Sequence, residues 1–148
     1  MTFGRKALFT TAVLYPAAVA MITIVPLRAT TDRETHVNFV PFASVAACLS
    51  GRGHGVQHLP RRCIGNVLGN VLLFVPFGVL FTIITRRDRS PVVLLIAASL
   101  TSTTIEAIQY AERTVPIGRT VDIDDVLWNT IGALAGFVIL RWCLARLR

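Results

Sequence analysis

Four stretches of about 20 largely apolar residues, at 7–27, 64–85, 91–111 and 125–144, dominate this chain of 148 residues. A helix needs about that length to cross the ~30 Å hydrocarbon layer of a bilayer. Lipid offers no hydrogen bonds, so a crossing segment has to satisfy its backbone internally, as a helix does. Hydrophobic residues make up 53% of the chain and charged residues 16%, where soluble domains carry about a quarter. The reading is all-α: a polytopic membrane protein with about four transmembrane helices in a bundle, forming a single domain over 1–148. The first stretch follows Arg5 and Lys6, as the apolar part of a signal peptide would. It is long, however, and no convincing A-x-A cleavage site follows it, so it is expected to be a retained helix.

The connectors set a direction. Arg5 and Lys6 precede the first span, Arg86, Arg87 and Arg89 fill the turn between the second and third, and Arg141, Arg146 and Arg148 close the chain. Four spans put all three groups on one side. Six of the eight acidic residues, Asp32, Glu34, Glu112, Asp122, Asp124 and Asp125, fall on the other. Short basic connectors stay in the cytoplasm, so a multi-pass protein of the plasma membrane with both termini cytoplasmic is expected. The net charge of +7 raises the question of nucleic acid. The basic residues nevertheless sit in short runs beside apolar segments, with no basic helix and no aromatic–basic interleaving, so the expected partner is the lipid bilayer and not nucleic acid.

The external loop, 28–63, contains an apolar stretch at 38–49 that is too short to span and is expected to be interfacial or re-entrant. Gly51, Gly53 and Gly55, interleaved with Arg52 and His54, read as a flexible tip, and neither a phosphate loop nor a His54–His58 metal site follows from them. Cys48 and Cys63 share this loop, where a disulfide between them is left open. Cys143 reads as a small apolar residue of the last span.

Polar residues are spaced to meet at one end. Asn66 and Asn70 lie one turn apart in the outer half of the second span, and Gly65 and Gly69 have a spacing that lets helices approach. Pro76 interrupts the same helix. Ser99, Ser102, Glu106 and Gln109 make a stripe on the third span that rises toward the outer surface. Before and within the fourth span comes Arg119-Thr-Val-Asp122-Ile-Asp124-Asp125-Val-Leu-Trp-Asn129. There Asp122, Asp125, Asn129, Gly132 and Gly136 step by three or four along one helical face. Asp124 points elsewhere and is expected to cap the helix, a role equally open to Asp122. An outward-facing polar pocket between spans two, three and four, covered in part by 38–49, is the resulting expectation. Ionisable groups at such depth mark a site by default.

These stretches together resemble the VanZ-like family of small bacterial membrane proteins, named for a teicoplanin-resistance accessory protein. The matching pieces are Asn38-Phe-Val-Pro41-Phe42, Asn70-x-x-Leu73-Phe74-x-Pro76-x-Gly78, Ile105-Glu106-x-x-Gln109 and Arg119-x-x-Asp122-x-x-Asp125-x-x-x-Asn129-x-x-Gly132. In order, they cover about 36–140. The resemblance implies a multi-span membrane protein of the cell envelope whose archetype lowers susceptibility to glycopeptide antibiotics. It brings no catalytic mechanism with it.

Three functional readings are compatible with the pocket. In the first, it binds or shields an envelope component, such as a lipid-linked precursor or a glycopeptide, with Asn70, Gln109, Arg119 and Asn129 as binding residues. In the second, it is a metal-assisted enzyme acting on a lipid-linked phosphate or pyrophosphate. Glu106, Asp122 and Asp125 would then offer the oxygen ligands that Mg or Ca prefers, Arg119 would clamp an anionic oxygen, and Glu106 would serve as general acid or base. In the third, the network is structural. No Ser–His or Cys–His pairing lies near the pocket, which argues against nucleophilic acyl transfer.

Overall fold

In a computed structural model, residues 3–23, 37–50, 59–85, 90–112 and 121–147 are described. In chain order the elements are α1 (Phe3–Thr23), β1 (Val37–Asn38), α2 (Ala43–Leu49), α3 (Leu59–Ile84), α4 (Pro91–Glu112), β2 (Val121–Asp122) and α5 (Ile123–Arg146). The protein is a bundle of helices, four of which (α1, α3, α4 and α5) are long and apolar enough to cross a membrane. The most apolar is α3, whose most apolar 18-residue stretch has mean hydropathy 2.4. Many large apolar side chains point out of the bundle, among them Phe9 at 67%, Leu72 at 64% and Leu100 at 64% exposure. A surface of that kind suits hydrocarbon rather than water.

The bundle is organised around α5, which packs on both α3 and α4. Against α3 the approach is backbone to backbone. A Cβ on Gly132 would lie 2.1 Å from the Val71 carbonyl oxygen, one on Gly136 2.0 Å from that of Val75, and one on Gly78 1.9 Å from that of Ala133. Only glycine fits at such contacts, and dispersion between the closely packed helices replaces the hydrophobic effect that lipid removes. The expected packing spacing at Gly65 and Gly69 is not used this way, since a Cβ on either would meet nothing within 4 Å. The seam on α3 instead lies deeper, at Val71, Val75 and Gly78. Phe74, Leu94, Ala98, Ile105, Ala133 and Phe137 fill the space between the helices, with Val19 of α1 joining from the edge.

Pro76 lies inside α3 and removes one rung of its backbone ladder. Nearby, the Tyr15 hydroxyl of α1 donates to the Leu73 carbonyl at 2.8 Å, which ties α1 to the interrupted turn. The expected extension of the first span to residue 27 lies outside the described residues.

Within 38–49, α2 is a helix of 7 residues. At 1.5 Å per residue it rises only about 10 Å, too little to cross. It is held to the rest of the bundle by a two-residue parallel pairing of β1 with β2, in the register Val37↔Val121 and Asn38↔Asp122. Between strand and helix the chain reverses at Phe42, which has φ 62 although it is not glycine. That left-handed backbone costs about 1–3 kcal/mol and persists only where surrounding contacts enforce it.

Candidate functional site

The start of α5 holds three carboxylates that the fold sends to three different neighbours. Asp122 is the N-cap, with extended backbone at φ −131 and ψ 123, and its Oδ1 accepts the Asp124 N–H at 3.0 Å. The same oxygen accepts from Asn38 Nδ2 at 3.0 Å, and Ser44 Oγ donates to Oδ2. The Asp122 N–H donates to Glu106 Oε2 at 3.2 Å. Asp122 is thus the knot at which β1, α2, α4 and α5 meet. Its 5% exposure follows from those contacts.

Asp125 turns to α3. Asn66 and Asn70 both donate to its Oδ1, at 2.9 and 2.6 Å. The one-turn spacing of the two amides lets them converge on a single oxygen. Asn129 turns the other way and donates to Ser102 of α4 at 2.8 Å, with Ser99 and Thr130 paired at 3.1 Å one turn deeper. The single face expected for Asp122, Asp125, Asn129, Gly132 and Gly136 is therefore divided. Asp125 and the glycines meet α3, while Asp122 and Asn129 meet α4.

Asp124 is the residue that sequence reasoning undervalued. It caps nothing and is 1% exposed. Its Oδ1 accepts the N–H of the strained Phe42 at 2.5 Å, and its buried Oδ2 has no hydrogen-bond partner among the described residues. The Phe42 ring meets Trp128 edge to face, with centroids 6.4 Å apart. Trp128 Nε1 is also buried without an acceptor among the described residues. The available signal was the four-residue step from Asp124 to Trp128, which puts both on one helical face.

These residues wall a cleft of ≈ 530 Å³ between α2, α3 and the start of α5. The start of α5 contributes Asp122, Asp124 and Asp125 to its lining, α2 contributes Val45 and Leu49, and α3 contributes Val67 and Leu68. A second cleft of ≈ 320 Å³ includes Thr23, Asn66, Asn70, Gln109 and Asp125, so the Asn66–Asp125 pair stands between the two. Gln109 donates to the Thr23 carbonyl at 2.7 Å in its wall.

Of the residues singled out from sequence, Asn70 and Gln109 thus line the second cleft and Asp122 and Asp125 the first. Asn129, at 3% exposure, lies between α4 and α5, and its Oδ1 is buried without a partner among the described residues. Glu106 is 7% exposed and lines a third, smaller cleft of ≈ 260 Å³ with Asp122 and Tyr110. Arg119, His54 and His58 lie outside the described residues. No group of three His, Cys, Asp or Glu side chains among the described residues is arranged to hold a metal ion. Glu106, Asp122 and Asp125 instead face Asp122 N–H, Asn38 with Ser44, and Asn66 with Asn70. The donor set does not fit Mg or Ca, which gather 6 or more oxygens about one point. Cys63 is disulfide-bonded and Cys143 is free and exposed, while the Cys48 side chain lies outside the described residues.

The four sequence pieces quoted above, separated by up to 84 residues in the Asn38–Asp122 bond, therefore meet at one end of the bundle. Among family models, VanZ/LLP1 matches residues 12–145. The chain belongs to the VanZ/LLP1 family. The match spans α1 to α5 of this VanZ/LLP1 membrane protein, including every residue of the cleft wall named here. No curated protein and no solved structure matches it.

Proposed function

We propose that the polar end of this VanZ/LLP1 protein faces the outside of the plasma membrane, with both termini cytoplasmic, and that the ≈ 530 Å³ cleft binds and shields a cell-envelope component. The cleft carries this reading. Its size lies within the ~300–1,000 Å³ usual for small-molecule sites, and such sites combine apolar walls with a few polar groups. The orientation draws support from the exposed Arg5, Lys6, Arg141 and Arg146 at the opposite end of the bundle. The disulfide at Cys63 also favours an oxidising compartment for the cleft. In a family whose archetype concerns teicoplanin, shielding an envelope component from a glycopeptide is the corresponding physiological role.

A structural role is favoured for one residue in particular. Asp122 has both oxygens engaged within the protein, and its contacts hold β1 and α2 against α5. The metal-assisted enzyme reading has no comparable observation behind it.

Photo-crosslinking tests the binding reading. A benzophenone amino acid replacing Val67, inside the cleft, should capture a discrete envelope species in living cells. The same probe replacing Leu72, which is exposed at 64% and outside the cleft, should capture bulk phospholipid. Identical captures from the two positions would rule out a binding cleft.

A further inference from the structure

The lining of the cleft has two chemical characters. Leu49, Ile64 and Leu68 line it and are also exposed on the bundle surface, at 85%, 58% and 52%, which offers apolar surface to a hydrocarbon chain. The start of α5 lines the same cleft with Asp122, Asp124 and Asp125. Their described partners are neutral: the Asn38, Asn66 and Asn70 amides, the Ser44 hydroxyl and two backbone N–H groups. Asp124 adds an independent indication. It is 1% exposed, it lies in the cleft wall, and its Oδ2 has no donor among the described residues. A buried acceptor left without a donor is costly, and native proteins rarely leave one so. An anionic head would add like charge to this wall, whereas a cationic N–H donor offsets the charge and satisfies the oxygen together.

We propose that the cleft takes an amphiphile bearing a primary ammonium, with the ammonium donating to Asp124 and the hydrocarbon chain lying along Leu49, Ile64 and Leu68. This rests on the reading of the cleft as a binding site and names the class of its ligand. A phosphate headgroup held against the same carboxylates through a metal is the opposite assignment.

Trp128 lines the cleft and becomes the sole tryptophan once Trp142 is replaced, which makes the wall its own reporter. The full chain carrying Trp142→Phe is placed in phosphatidylcholine nanodiscs and titrated with dodecylammonium, dodecyltrimethylammonium and dodecyl phosphate. Dodecylammonium should shift the Trp128 emission saturably, with a Kd about tenfold tighter than the trimethyl compound, which has charge but no N–H donor. Dodecyl phosphate should give no saturable shift, nor should ethylammonium, which lacks the chain. Asp124→Asn should remove the tenfold preference. It keeps the Oδ1 acceptor for Phe42 N–H, and the wild-type comparison of probes stands without it. Adding phosphatidylethanolamine to the nanodiscs separates the sources. Competition assigns the ammonium to a bilayer lipid and lack of competition to a soluble amphiphile, and both agree with the proposal.

Saturable binding of dodecyl phosphate in preference to dodecylammonium would overturn the ammonium assignment and leave the binding cleft standing. Silence toward all three chain-bearing probes would also overturn it, with the crosslink at position 67 then deciding the fate of the cleft itself.

Discussion

Asp122 and Asp124 lie two residues apart and carry different burdens. Asp122 satisfies an otherwise orphaned backbone N–H at the start of α5 and ties down β1 and α2 through Asn38 and Ser44. Replacing it with Ala removes the cap and both tethers, and should lower stability by about 1–3 kcal/mol. Asp122→Asn retains an acceptor for the Asp124 N–H and should recover about half of that loss. Thermal melts of the two variants in detergent, followed by circular dichroism, check the order, and equal melting points for Ala and wild type would contradict it. The polar character of this end was legible from spacing alone, because Asn66, Asn70, Glu106, Asp122 and Asp125 sit at matching depths in their helices. Asp124 was not. Its partner is the N–H of Phe42, 82 residues earlier, and that bond exists only because the chain reverses through a left-handed residue. Local pattern carries no trace of it.

At the scale of the helix, the packing seam shows why a correct spacing rule still needs the fold. Gly65/Gly69 and Gly132/Gly136 have the same four-residue step, yet only the second pair touches a neighbouring backbone. The rotation of α3 decides this, and that rotation is set by which side chains α5 and α4 present to it. Gly132→Leu and Gly136→Leu should each force α3 and α5 apart, costing about 1–3 kcal/mol or more. Gly65→Ala and Gly69→Ala have open space and should be neutral or stabilising by up to about 1 kcal/mol, since alanine is the better helix former. Size-exclusion profiles after detergent extraction, together with melts, distinguish the pairs, and a sharp wild-type-like peak for Gly132→Leu would contradict the seam. The four long helices themselves were readable from length and hydropathy, since that signal depends on lipid as solvent rather than on any partner. The two-residue β1–β2 pairing was not readable, because strands that short have no period.

For the molecule as a whole, orientation and cleft stand or fall separately. Ser50 follows α2 and is exposed, and Leu147 follows α5 at the other end and is 83% exposed. In a Cys143→Ser background, Ser50→Cys should react with a membrane-impermeant maleimide on intact cells, and Leu147→Cys only after permeabilisation. The reverse pattern would put the cleft in the cytoplasmic leaflet. Whichever leaflet holds it, the cleft is formed where one end of the bundle gathers carboxylates and exposed apolar side chains, and its occupancy is the central claim. Native mass spectrometry of the full chain released from its own membrane, wild type beside Val67→Trp, tests that claim most directly. A discrete bound species on the wild type, falling to background when the tryptophan fills the cleft, is the expected result; equal retention by a folded Val67→Trp protein would contradict it.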